Sequence, residues 1–189
     1  MDYHGNFATQ GSVLVAELID WRQREKLKEY VYGRLLCGKM HPGDPSVSGS
    51  PCMYGDRVVD GLLEQLMPDV HKVVECELFP TYSYTRLYRR GATLAPHYDR
   101  AACEISVSLT VDFDSPDPWP LWLEDDTGPH AVIIPRGGGV VYAGPRMRHW
   151  REEFNGNWAL QLFLHYVDKR GPYSGLRFDG RSRLGTPKN

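Results

Sequence analysis

The sequence predicts a mainly β fold preceded by helices, an α+β arrangement in a single domain. Three observations carry that expectation. The chain has 189 residues, enough for one domain with a substantial core. Apolar residues recur at helical spacing in the first part of the chain. After Leu78 the segments become short, rich in β-branched and aromatic residues, and separated by Gly and Pro.

Taken in order, Ser12–Glu17 reads as a first strand. From about Ile19 to Leu36 the pattern is helical, with Leu27, Tyr30, Val31 and Leu35 among many charges. Gly38–Pro51 is a Pro/Gly/Ser loop, long enough for a mobile flap or a disordered insert. Arg57–Met67 reads as a second amphipathic helix, and Pro68 suits the first turn of a third, short one through Val70, Val73 and Val74. The expected strands are Thr81–Tyr88, Cys103–Val111, Leu121–Glu124, Ala131–Ile134, Gly139–Tyr142, Arg148–Glu152 and Trp158–Val167. Such a series suggests a sandwich or barrel of the jelly-roll kind, with the helices packed on one outer face. Residues 12–77 then support a core of about residues 78–168. The segment Asp168–Asn189 holds six Lys/Arg (Lys169, Arg170, Arg177, Arg181, Arg183, Lys188) against Asp168 and Asp179. It fits a flexible basic tail or a strap over the barrel.

Composition narrows the function classes. The net charge of -2 gives no global field toward nucleic acid or an anionic membrane. Apolar runs such as Val140–Ala143 are far too short to span a bilayer, and residues 1–10 show no signal peptide. Cys37, Cys52, Cys76 and Cys103 contain no Cys-x-x-Cys, which argues against a zinc knuckle or disulfide framework and for a reducing cytoplasm.

His97-Tyr98-Asp99 is the most informative triplet. On a strand, residues i and i+2 share a face, so both side chains can point into one barrel mouth. A second histidine, His149, follows the Gly-rich turn Pro135–Gly139, a buried strand and Gly144-Pro145. Two imidazoles and a carboxylate are the ligand set that holds non-haem Fe(II) with open positions. His4 and His41 fall in polar segments, His71 on a charged helix and His130 in a turn. His165, between Leu164 and Tyr166, is the rival to His149, and a hydrogen-bonded core histidine is its plainer reading.

Arg86–Asp99 (Arg-Leu-Tyr-Arg-Arg-Gly-Ala-Thr-Leu-Ala-Pro-His-Tyr-Asp) resembles the opening of the core of the 2-oxoglutarate/Fe(II)-dependent oxygenases, in the manner of the prolyl 4-hydroxylase-like group. The Gly-rich strand, His149 and the closing strand Trp158–Val167 are similar to the second half of that core, so the resemblance spans roughly Val13–Asp168. It implies a double-stranded β-helix binding Fe(II) through His97, Asp99 and His149. It also implies 2-oxoglutarate and O2 as co-substrates, ascorbate in support, and release of succinate and CO2. The implied reaction hydroxylates a C–H bond of a peptidyl or free amino acid or other small metabolite, with no catalytic residue beyond the metal ligands. Asp99 argues against the halogenase branch, which replaces this carboxylate by a small residue.

One departure matters. The family places an Arg or Lys for the distal carboxylate of 2-oxoglutarate nine or ten residues after the distal histidine, where this chain has Trp158 and Ala159. The candidates to bind the co-substrate are therefore Arg86, Tyr88, Ser108 (with Ser106 beside it) and, more weakly, Gln161. Arg148 and Arg151 flank His149; with Arg89, Arg90, Arg100 and Arg146 they either receive an anionic ligand or are rim charges balanced by Glu152 and Glu153. For substrate, Trp150, Trp122 and Arg148 come first. Expected partners are a peptide or small-molecule substrate, with no nucleic acid and no membrane; the nucleic-acid demethylase branch carries an Arg pair after the distal histidine, and residues 158–167 contain no Arg. Two rivals stay open: an iron enzyme on the same core that does not use 2-oxoglutarate, and a non-catalytic jelly-roll binding module.

Overall fold

Strand alternation gives this chain a sheet with two unlike faces, and that asymmetry positions the site. The computed structural model describes residues 6–186 together with the backbone of Tyr3–His4; Lys188 lies outside the described residues, as does the side chain of His4. In chain order the elements are β1 (Tyr3–His4), α1 (Phe7–Gln10), β2 (Ser12–Val15), α2 (Trp21–Leu36), β3 (Cys52–Tyr54), α3 (Arg57–Val74), β4 (Leu78–Arg89) and β5 (Leu94–His97). There follow β6 (Ile105–Asp114), β7 (Leu121–Asp125), β8 (Gly128–Val132), β9 (Gly139–Tyr142), β10 (Arg148–Arg151) and β11 (Trp158–Asp168). The protein is mainly β, with two antiparallel sheets ordered β1-β2-β9-β6-β11-β4-β3 and β5-β10-β7-β8.

On the larger sheet, Val107, Leu109 and Val111 of β6 and Leu160, Leu162 and Leu164 of β11 share one face. They are buried with Leu27 and Val31 of α2 and Val59, Leu63, Leu66 and Val70 of α3. Each such side chain contributes about 1.5–3 kcal/mol on burial. The helices therefore cover one outer face. The opposite face looks toward the smaller sheet and is polar although buried: Ser106, Ser108 and Thr110 on β6, Gln161 and His165 on β11, Arg86 on β4.

Among the differences from the sequence reading, four bear on the fold. The segment Arg57–Val74 is one helix, not two, with Pro68 inside it. Pro68 lacks the N–H that would bond the Glu64 carbonyl, and both residues are on the exposed side of the helix, where that loss is tolerated. Leu94–His97 is an additional strand; it lies at an edge of the smaller sheet, where Pro96 is tolerated. Cys103 belongs to a short 3-10 turn, and β6 starts at Ile105. The hairpin from Asp125 to Gly128 turns in two residues, which draws Pro129 and His130 into β8 and ends it at Val132.

The loop 38–51 has only two isolated bridges, His41 to Cys52 and Asp44 to Val47, but it is seated on the fold through buried Val47 and Ser50. The C-terminal segment is a strap. Asp179 accepts two hydrogen bonds from Arg100 at 2.6 and 2.7 Å, and Arg181 pairs with Asp60 of α3 at 2.8 Å. No helix among the described residues is long and apolar enough to cross a membrane.

Candidate functional site

Pairing of β5 with β10 sets His97 directly opposite His149, with ring centroids 4.2 Å apart. Asp99, two residues past the end of β5, places Oδ1 3.8 Å from His97 Nε2 and 3.7 Å from His149 Nε2. The three donor atoms lie within 4.8 Å of one another. Each imidazole is oriented by its own backbone. His97 Nδ1 is 2.8 Å from the Ala95 carbonyl, and His149 Nδ1 is 2.9 Å from the Met147 carbonyl. A carbonyl only accepts, so Nδ1 carries the proton in both rings and each Nε2 presents a lone pair. Two bare nitrogens and a carboxylate around one point are a donor set that a divalent cation fits. Burial pushes His149 below the ordinary imidazole range, against the pull of Asp99, which keeps it in the neutral form a metal requires.

Asp99 is fixed from behind. The Ser106 hydroxyl donates to its Oδ2 at 2.8 Å, and its N–H donates to the Gly144 carbonyl at 3.1 Å. A Cβ on Gly144 would stand 2.5 Å from Asp99 Oδ2 and 2.4 Å from the Cys103 carbonyl, so the close approach requires glycine there. His165 occupies the next layer: its Nδ1 is 2.9 Å from Ser106 Oγ and its ring packs against Tyr82 at 4.5 Å. With Asp99 and Cys103 it forms a second group of potential donors, deeper than the first. Burial drives its pKa down to about 4.

The three donors open into a cavity of about 190 Å³, whose walls include Asp44, Tyr84, Arg86, Tyr88 and Tyr142. That is below the ~300–1,000 Å³ of drug-sized ligand sites and suits a small polar co-substrate. Arg86 and Tyr88, expected to bind the co-substrate, both line it. The Arg86 guanidinium and the Tyr84 hydroxyl donate to the Asp44 carboxylate. Tyr88 is fully buried, and among the described residues its hydroxyl has no partner. Ser108 and Gln161 are buried in the polar interior and do not reach the cavity wall; both face the side chain of Arg151.

Arg148, Trp150 and Trp122, expected at the substrate, are placed elsewhere. His149 and Arg151 take the inner face of β10, so alternation sends Arg148 and Trp150 to the outer one. There Trp150 stacks on Trp122, its cross-strand partner, at 5.8 Å and 8°. Arg148 pairs with Glu124 at 3.1 Å. Arg151 is likewise not a rim charge: it is 1% exposed and pairs with neither Glu152 nor Glu153. Sequence reasoning missed Asp44, for which a loop without periodicity gives no signal. It also missed Tyr142, whose hydroxyl is 3.4 Å from His149 Nε2 and whose strand was legible.

No family model matches the sequence, and no curated protein matches it either. Solved structures do match in fold. A prolyl-4-hydroxylase from Pseudomonas putida aligns with a TM-score of 0.69 and 20% identity over 87% of this chain and 96% of its own. An oxidoreductase of the 2OG-Fe(II) oxygenase family from Burkholderia pseudomallei gives 0.67 and 15% over 85% and 86%. The fold is that of the 2-oxoglutarate/Fe(II) oxygenases. HygX from Streptomyces hygroscopicus, solved with nickel and 2-oxoglutarate bound, gives 0.67 and 10% over 87% and 85%. Within this oxygenase fold the closing strand β11 turns Ala159 and Gln161 inward, and neither is a cation.

Proposed function

We propose that the chain is an Fe(II)- and 2-oxoglutarate-dependent dioxygenase, a single domain whose two sheets form a double-stranded β-helix. The observation that carries this is the pair of oriented imidazoles: His97 and His149 both give Nδ1–H to a carbonyl and turn a bare Nε2 toward Asp99. His97, Asp99 and His149 would hold the iron. Iron bound there supplies activation of O2 coupled to decarboxylation of the 2-oxo acid, with oxygen transfer to a substrate C–H bond and release of succinate and CO2. The chain's own residues do the rest. Ser106 holds the carboxylate, Tyr88 and Arg86 offer polar groups to an anionic co-substrate, and Asp44 on the loop 38–51 forms part of one wall of the cavity.

The likeness to prolyl hydroxylases supports a peptidyl or free amino acid substrate, or another small metabolite; cysteines without a Cys-x-x-Cys and a net charge of -2 support a reducing cytoplasm and no nucleic-acid or membrane partner. A second reading has a specific observation behind it. Trp158 and Ala159 leave β11 without a cation, which favours an iron enzyme on the same core that does not consume 2-oxoglutarate. Succinate formation from 2-oxoglutarate with Fe(II), ascorbate and a screen of amino acids and peptides decides between them. Succinate that requires the protein and is lost in His97→Ala is expected; metal bound stoichiometrically with no succinate under any substrate favours the second reading. Failure to bind metal at all removes both and leaves a binding module.

A further inference from the structure

Asp99 turns its two carboxylate oxygens to two different sets of donors. Oδ1 faces the Nε2 atoms of His97 and His149, whereas Oδ2 is turned to Ser106 and the residues behind it. The register of β6 against β11 places His165 directly opposite Ser106. The short 3-10 turn that leads into β6 carries Cys103 to the same point. One donor atom from each of Asp99, Cys103 and His165 lies within 4.8 Å of the other two.

The state of these groups suits a metal ion. Ser106 Oγ directs its one proton to acceptor oxygens, Asp99 Oδ2 at 2.8 Å and the Cys103 carbonyl at 3.1 Å. Its contact with His165 at 2.9 Å is therefore donated by Nδ1–H. Burial keeps that ring neutral, which leaves a lone pair on Nε2. Cys103 is 2% exposed. A buried cysteine usually packs as a small hydrophobe. Here Sγ stands 3.0 Å from the Tyr82 hydroxyl, beside a carboxylate and an imidazole. Tyr82, Asp99 and His165 all line the cavity, which gives an ion its way in.

Carboxylate, thiolate and imidazole form a softer set than the two imidazoles and carboxylate next to them. A thiolate selects Zn(II) or Cd(II) over Mn(II) and Mg(II). Charge points the same way, because one carboxylate and one thiolate neutralise a divalent ion in a buried place. Binding replaces the S–H bond by a metal–sulfur bond and releases that proton to solvent, with no change of oxidation state. Zn(II) ligand lengths of ~2.0–2.3 Å put tetrahedral donors roughly 3.3–3.8 Å apart, so side-chain shifts of about 1 Å close the set. The Tyr82 hydroxyl, beside Sγ, is a fourth donor at hand.

We propose that Asp99, Cys103 and His165 form a second metal site, selective for a thiophilic divalent ion such as Zn(II), whose occupancy opposes that of the first through the shared Asp99 carboxylate. Two divalent ions on one carboxylate repel at short range, so each weakens the other. The opposition rests on the reading of His97, Asp99 and His149 given above; the second site does not.

The test is titration of the metal-free full chain with Cd(II), read by the ultraviolet charge-transfer absorption of a cadmium–thiolate bond. The parent protein and every variant carry Cys37→Ser, which removes the exposed thiol. The band rises to one Cd(II) per chain, with one proton released per ion at pH ~7. It is absent in Cys103→Ser and Cys103→Ala and retained in His97→Ala. In His165→Phe, which keeps the ring packing and removes the nitrogens, Cd(II) affinity falls by about 10-fold or more. Saturating Mn(II) weakens Cd(II) binding by about 10-fold in the parent protein and not in His97→Ala. No band, or a band that survives removal of Cys103, overturns the site. Should the Cys103 variants not fold, the parent protein decides: Cd(II) that binds without a thiolate band, or without releasing a proton, overturns it. A band indifferent to Mn(II), in protein that binds Mn(II), overturns the opposition and leaves the site standing. Protein that gives the band and binds no Mn(II) overturns the reading of His97, Asp99 and His149, and the opposition with it, but not the second site.

Discussion

The Asp44 carboxylate rests on the buried Arg86 guanidinium, so a loop without regular structure forms one wall of the cavity. The same side chain accepts the N–H of Ser46 at 2.9 Å and of Val47 at 3.0 Å, which makes the loop its own scaffold. Burial works to raise the Asp44 pKa, but the hydrogen bonds from Tyr84 and Val47 and the charge of Arg86 bring the net shift below the ordinary value. Asp44→Ala therefore releases the loop rather than the fold. Backbone hydrogen exchange of residues 44–50 is expected to speed up by about 10- to 100-fold, the loss of about 1.4–2.8 kcal/mol of local protection. Exchange in β4 and β11 stays as it was. Unchanged exchange in the loop means that Asp44 does not hold it.

The strap is fastened by a buried ion pair. Arg181 and Asp60 have side chains 0% and 1% exposed, and Asp60 also accepts from Ser83 N, Ser83 Oγ and Gly185 N at 2.9, 2.7 and 2.7 Å. Arg181→Met strands the carboxylate and is expected to cost about 3–5 kcal/mol in urea unfolding. The double variant Arg181→Met/Asp60→Asn costs less than the two single changes added together, because the amide needs no counter-ion while still accepting from Ser83. A single-variant loss below about 1 kcal/mol rules this pair out as a clamp.

Acid stability is expected to depend on Asp112, where α2 meets the back of β6. Its carboxylate takes Lys28 at 2.9 Å and Arg136 at 2.5 Å, with Arg24 at 3.9 Å. Burial opposes ionisation, yet hydrogen bonds from Lys28, Arg136 and the Phe113 N–H hold its pKa below the ordinary 3.8. A carboxyl whose folded pKa is depressed stabilises the fold fully above its unfolded pKa, and that stability is lost as pH falls through the folded one. Asp112→Asn is expected to cost about 1–2 kcal/mol at neutral pH and to lose less than the native protein on acidification below pH ~4. Parallel stability curves for the two proteins between pH 3 and 6 contradict this.

Much of the fold and of the three-donor cluster was legible because the signals are local. His97 and Asp99 sit two apart, and short apolar strands separated by Gly and Pro mark the second half of the chain. What failed was facing across the interior. Arg148, Trp150 and Arg151 are adjacent in sequence, and which of them turns inward depends on the register of β10 against β5 and β7, which has an irregularity between His149 and Arg151. The sequence left Arg151 either receiving an anionic ligand or at the rim, and put Trp150 first for substrate; in the fold Arg151 is buried on the inner face and Trp150 is half-buried on the outer one. Asp44 was illegible for a different reason. Its place is set by Asx-type hydrogen bonds and by Arg86, which lies 42 residues away in sequence.

Gly144 offers a way to disturb the proposed metal site without removing one of its three donors. Its backbone is not in the left-handed region, so alanine is conformationally acceptable there. The added Cβ would instead meet Asp99 Oδ2 at 2.5 Å and the Cys103 carbonyl at 2.4 Å. The clash with the Cys103 backbone carbonyl pushes the Gly144 segment away, which strains its hydrogen bond from the Asp99 N–H, and the clash with Asp99 itself displaces the carboxylate and its hydrogen bond from Ser106. All three donors remain, but Asp99 no longer converges on the two Nε2 atoms. Gly144→Ala is expected to weaken Mn(II) or Fe(II) binding by about 10- to 100-fold, the range for disturbing the groups that orient a ligand. Ser106→Ala, which removes the same orienting contact from the other side, is expected to fall within that range. Metal affinity unchanged in Gly144→Ala, in a protein that still unfolds cooperatively, shows that Asp99 is not the carboxylate that binds the ion.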